Sequence, residues 1–97
     1  FTNKELPFIF GKPNAQDFLK FKKIIDQSKF SYDKIKNFYF YPSQRWDIEL
    51  DNKIIVKLSK ERTKHSLNYA HEFLNNTNFV NLKIIDARVR DQIILND

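Results

Sequence analysis

No cysteine occurs anywhere in the 97 residues, so disulfides and thiolate metal sites are excluded and no redox compartment is marked. A single glycine, Gly11, stands in the whole chain. That excludes the phosphate-cradling nucleotide loops, which need several glycines. No apolar run approaches the roughly twenty residues that span a bilayer. Methionine is also missing, and the chain opens on Phe1 without a signal-peptide pattern. We read it as a processed or excised piece of a longer protein, with any membrane anchor expected upstream.

What is present is aromatic and basic. Ten Phe, four Tyr, thirteen Lys and ten Asn suggest the codon bias of an AT-rich genome. The formal net charge of +5 favours anionic partners through long-range fields. The lysines, however, are scattered and interleaved with acids, so charge alone marks no nucleic-acid surface. Ninety-seven residues suit one domain, 1–97, able to bury roughly two-thirds of its unfolded surface.

Hydrophobic period divides the chain. Leu6 to Gly11 is a short extended apolar run. Asn14 is placed to cap a helix, with Asp17 three residues on as in a capping box, and Phe18, Phe21 and Ile25 form its apolar stripe. Ile35 to Tyr41 is aromatic and extended, and Pro42 interrupts it. Trp46, Ile48 and Leu50 then alternate with Asp47 and Glu49, and Asp51-Asn52 make a turn into Ile54, Val56 and Leu58. This hairpin is expected to set Asp47 and Glu49 against Lys53 and Lys57 across its solvent side. A second helix, from about Glu61 to Asn76, carries Leu67, Ala70, Leu74 and Thr77 on one stripe, widened by Phe73. Leu82 to Val89 and Ile93 to Leu95 close the chain as two strands, with Ile85, Ala87 and Val89 on one side and Asp86 and Arg88 on the other. The expected fold is α+β: an antiparallel-rich sheet of five or six strands, two helices, and an edge strand at the C-terminus.

Catalytic constellations are missing. His65 and His71, six apart on the second helix, lie on different faces and cannot share a metal; no cofactor or metal is expected. The acids are dispersed, and Ser and Thr form no nucleophile elbow. We therefore expect no enzyme. One non-catalytic alternative is a small single-stranded RNA- or DNA-binding domain, with Phe38, Tyr39, Phe40 and Tyr41 as a stacking strand.

Three stretches, in order and spacing, resemble the C-terminal β domain of the bacterial cell-division protein family FtsQ/DivIB. "LPFIFG" is similar to that family's Leu-Pro strand leading into a helix. "QRWDIELDNKIIVKL" is similar to the Arg-Trp-Asp hairpin of alphaproteobacterial members, and "IIDARVRDQIIL" to the final Ile-Asp-Leu-Arg strand and the short strand after it. The resemblance implies a non-catalytic scaffold in the periplasm, part of a single-pass inner-membrane protein whose POTRA domain and further strands precede this segment. It implies FtsB and FtsL as partners, with FtsB added as a strand beside the last strand, and no nucleic acid. On this chain the partner-binding residues so implied are Asp86, Arg88, Val89, Ile93, Ile94 and Leu95. Arg88 corresponds to the family's arginine before the last turn. Val89 stands where some members carry a contacting tyrosine, so an aromatic anchor is missing there. Two plainer readings stand beside this one: Arg88 as a surface ion pair with Asp86, contributing under about 1 kcal/mol, and a last strand that pairs only with its neighbour.

Overall fold

The computed structural model describes residues 8–76, 83–89 and 94–96. Along the chain run β1 (Phe8–Phe10), α1 (Ala15–Gln27), a 3-10 turn (Tyr32–Lys34), β2 (Ile35–Phe40), β3 (Trp46–Leu50), β4 (Ile55–Lys57), α2 (Thr63–Asn76), β5 (Ile84–Asp86) and β6 (Ile94–Asn96). The strands form one six-stranded sheet in sequence order, β1 to β6. No described helix is long and apolar enough to cross a membrane.

The sheet is mixed, which corrects the expectation of an antiparallel-rich one. β2–β3, β3–β4 and β5–β6 are antiparallel, whereas β1–β2 and β4–β5 are parallel. The reason lies in the connections: parallel neighbours need a crossover of a dozen or more residues, usually a helix. α1 and α2 are such crossovers, so two β-α-β units flank a central antiparallel meander.

Alternation along the strands sorts the core. Phe38, Ile48, Val56 and Ile85 are successive cross-strand partners, and each is completely buried. Phe21 and Ile25 of α1 and Leu67 and Ala70 of α2 belong to the same buried cluster. Phe21 stacks on Trp46 with centroids 4.6 Å apart and meets Phe38 edge-on at 5.9 Å. Such pairs each add about 0.5–1.5 kcal/mol beyond area burial. The expected capping box is formed: Asn14 Oδ1 accepts from Asp17 N–H at 2.7 Å, and Asp17 Oδ2 accepts from Asn14 N–H at 3.2 Å.

Several boundaries move. β1 is described over Phe8–Phe10; its expected start at Leu6 lies outside the described residues, as do Thr77, Leu82 and Ile93. α2 starts at Thr63, two residues after the expected Glu61. β5 is only three residues long, and Val89, expected to continue its inward side, is 44% exposed.

Candidate functional site

At the C-terminal end of the sheet the backbone bonds can be assigned by alternation. Ile55 N–H donates to Lys83 C=O, and Ala87 N–H donates to Lys57 C=O, both at 2.9 Å. In a parallel ladder of this register, Ile85 turns both its backbone groups toward β4. Ile84 and Asp86 then turn theirs toward β6, where they face Asn96 and Ile94. Leu95, opposite Ile85, is left with its N–H and C=O pointing away from β5. Among the described residues no strand lies beyond β6.

Asp86 and Arg88, two of the residues expected here, are brought together. Arg88 Nε donates to Asp86 Oδ1 at 2.8 Å and Arg88 Nη2 to Oδ2 at 2.6 Å, a bidentate pair. The Arg88 N–H also donates to Asp86 Oδ1, at 3.1 Å. These bonds hold the Asp86 carboxyl below the usual carboxylate range against the opposing effect of burial, and Lys57 adds a weaker push the same way. Arg88 is correspondingly raised, first by Asp86 and more weakly by Asp47 and Tyr41. Ile94, across from Asp86, is 47% exposed. Val89 is exposed next to the pair and not joined to it by strand pairing. For Leu95 the structure describes the strand backbone, and Ile93 falls outside the described residues.

Two polar residues near this end have a burial that was missed from sequence. Asp47 is 1% exposed; it accepts from Arg45 Nη2 at 3.2 Å and from Leu58 N–H at 3.3 Å. The Arg45 guanidinium lies 4.6 Å over the Tyr41 ring. Asp47 does stand opposite Lys57 in the β3–β4 register, as expected, but its side chain is buried and bonded to Arg45 and Leu58, not set on the solvent side. Glu49 turns to the other neighbour, accepting from Asn37 Nδ2 and the Tyr39 hydroxyl, each at 2.8 Å. Those two bonds lower the Glu49 carboxyl, while burial, followed by the Glu49 bond, raises the Tyr39 hydroxyl. The second missed residue is Ser66, 2% exposed, whose hydroxyl accepts from Ser59 N–H at 3.1 Å and donates to Ala87 C=O at 2.9 Å. Only long-range register brings Ser66 to Ala87, so no local pattern announces either contact.

The aromatic strand is not a stacking platform. Phe38 is completely buried, and Phe40 packs on Trp46 with centroids 4.7 Å apart. Tyr39 is stacked on Phe10 and tied to Glu49, and Tyr41 lies under Arg45. Alternation sends half of these rings into the core, and the other half are already engaged by neighbours. His71 packs edge-on against Phe30, on a different part of α2 from His65, which stacks on Tyr69. Among the described residues no group of three or more His, Cys, Asp or Glu is arranged to hold a metal.

Residues 1–88 match the family described as cell division protein FtsQ/DivIB, C-terminal. The match ends at Arg88, so it includes the Asp86–Arg88 pair while β6 lies beyond it. No curated protein matches the chain.

Proposed function

The chain belongs to the FtsQ/DivIB C-terminal family of cell-division proteins, and from that premise we propose that it is a non-catalytic divisome scaffold domain which takes FtsB, with FtsL, by strand addition beside β6. It does so as the periplasmic part of an inner-membrane protein anchored upstream. The observation that carries this reading is the orientation of Leu95, whose N–H and C=O point away from β5 at the end of the strand order. Unsatisfied edge groups are a template for another strand, and main-chain bonds of this kind supply affinity while neighbouring side chains supply selection. Ile94, exposed on β6 itself, offers apolar contact beside that edge. Asp86 takes the Nε–H and one N–H of Nη2 of Arg88, so a carboxylate on the incoming chain would meet the second Nη2 N–H and Nη1. The pair thus serves first to hold the guanidinium still, leaving its outer donors to grip a partner.

The test is a fluorescence-anisotropy titration of a labelled peptide from the periplasmic C-terminal region of FtsB of the same genome, with a labelled single-stranded oligonucleotide run beside it at two salt concentrations. Saturable peptide binding is expected. Leu95→Pro, which removes one outward donor and no bond to β5, should weaken it roughly tenfold, the worth of one to two main-chain hydrogen bonds. Unchanged affinity in the proline variant would rule out the edge. A silent peptide with salt-sensitive oligonucleotide binding would replace the scaffold reading by the nucleic-acid one.

A further inference from the structure

The parallel ladder between β4 and β5 stops one bond early, and Ser66 stands where the next bond belongs. Ile55 N–H to Lys83 C=O and Ala87 N–H to Lys57 C=O are two of its rungs. In the same register the following rung would run from Ser59 N–H to Ala87 C=O. Both of those groups bond the Ser66 hydroxyl instead: Ser59 N–H donates to Oγ at 3.1 Å, and Oγ donates to Ala87 C=O at 2.9 Å. A hydroxyl has one proton to give and lone pairs to receive, so it relays the bond without leaving a buried group unsatisfied. Its insertion holds the two backbones apart at the point where β5 ends.

We infer that Ser66 is a positioning residue for the docking edge, a side-chain wedge that ends the β4–β5 ladder at Ala87 and sends Arg88 and Val89 off the sheet. This rests on the docking reading above. The consequences are local and specific. Ala87 is buried at 4% exposure with both backbone groups held, its N–H by Lys57 and its C=O by Ser66. One residue later Arg88 N–H is taken by Asp86, so the chain leaves the sheet with its direction fixed. Without the hydroxyl, Ser59 N–H and Ala87 C=O are free to bond directly. β5 then lengthens, and Arg88 and Val89 are drawn toward strand positions, away from the course they take off the sheet here. The partner must reopen that rung before it can dock, and its apparent affinity falls by the fraction of molecules already open.

The experiment compares Ser66→Ala with Thr63→Val in the 97-residue chain. Thr63 Oγ1 donates to Ser59 C=O at 2.8 Å, so its loss loosens the same loop without touching Ala87. Two readouts are taken: affinity for the FtsB peptide, and amide exchange at Ser59 and over 83–89 in the free chain. Ser66→Ala should weaken the peptide about tenfold, as expected if the open form falls to about a tenth. It should also alter exchange at Ser59 and over 83–89. Thr63→Val should leave affinity within about twofold, and Ser66→Thr, which keeps the hydroxyl, should restore both readouts. Equal losses in Ser66→Ala and Thr63→Val would reduce Ser66 to general stability and overturn the inference, as would parental affinity in Ser66→Ala. If the parent does not bind the peptide, the docking reading fails by itself, while the exchange arm still decides whether Ser66 ends the ladder. Should Ser66→Ala not fold, Ser66→Cys takes its place in both arms, with similar volume and a weaker donor and acceptor.

Discussion

Gly11 sits at φ +103°, and a Cβ built there would lie 2.2 Å from the carbonyl oxygen of Phe40. The chain's one glycine is therefore spent where both backbone angle and space require it: the turn out of β1, packed against the end of β2. Gly11→Ala should lower stability by at least about 1–3 kcal/mol from backbone strain alone, with a further loss as Phe40 is displaced. Thermal unfolding checks this, and an unchanged midpoint would show that β1 is not held against β2 as described. From sequence Gly11 marked only the end of an apolar run. The neighbour that makes it obligatory is 29 residues away, and nothing local points to it. Ser66 and Asp47 are similar cases, polar residues in ordinary surroundings whose burial depends on partners brought in by the sheet.

At the scale of elements, local chemistry was mostly readable. The capping box at Asn14 and Asp17 and the stripe through Phe18, Phe21 and Ile25 are properties of adjacent turns, and they appear as expected. The two hairpins share one design. Tyr41 N–H donates to Arg45 C=O while Gln44 N–H donates to Tyr41 C=O, and Leu50, Ile54 and Lys53 repeat the pattern one strand on. Each is a three-residue loop ending in a left-handed residue, Gln44 at φ +68° and Lys53 at φ +72°. Asp51 and Asn52, expected to make this turn, tolerate that conformation. It falls instead on Lys53, while Asn52 Oδ1 accepts from Ile54 N–H at 3.2 Å. A left-handed conformation costs an ordinary L-residue about 1–2 kcal/mol, part of which glycine gives back in unfolded-chain entropy. Lys53→Gly should therefore stabilise the hairpin by up to about 1 kcal/mol, read as a rise in urea midpoint at constant slope. A fall in the midpoint would mean that the Lys53 side chain contributes more than its backbone costs.

Across the whole molecule, among the described residues, the acidic limb of stability follows chiefly from two partly buried carboxyls, since Glu72, also lowered by Lys29, is exposed. Asp86 is lowered by Arg88, and Glu49 by Asn37 and Tyr39. Both have folded pKa values below those of the unfolded chain, so their stabilisation is present above the ordinary carboxylate range. It is lost as pH falls through the folded values. The unfolded chain binds protons first, and the net charge of +5 grows as it does so, adding self-repulsion. Urea unfolding should give nearly constant stability from about pH 7 to 5 and a decline below about pH 4. The double variant Asp86→Asn, Glu49→Gln should show a shallower decline. An equal slope in parent and variant would place the acid sensitivity on other groups. The Lys22–Asp26 and Lys29–Glu72 pairs contribute less, since both are well exposed.

The order of elements, the apolar faces of the helices, the central hairpins and the family resemblance could all be read along the chain. These rest on capping, periodicity of 3.6 and 2, and turn residues, which act between neighbours in the chain. Only the closed fold made the sheet mixed, because parallel pairing depends on where a crossover helix returns its strand. Only it decided that Asp47 is buried, that Glu49 turns to β2 and not to the lysines of the return strand, and that Phe38 belongs to the core. It also decided where β5 ends: alternation carries the pattern on to Val89, but a serine from α2 takes the next rung. Contacts between residues far apart in sequence cost loop-closure entropy that local propensity does not register, and so they are legible only once the chain has closed on itself.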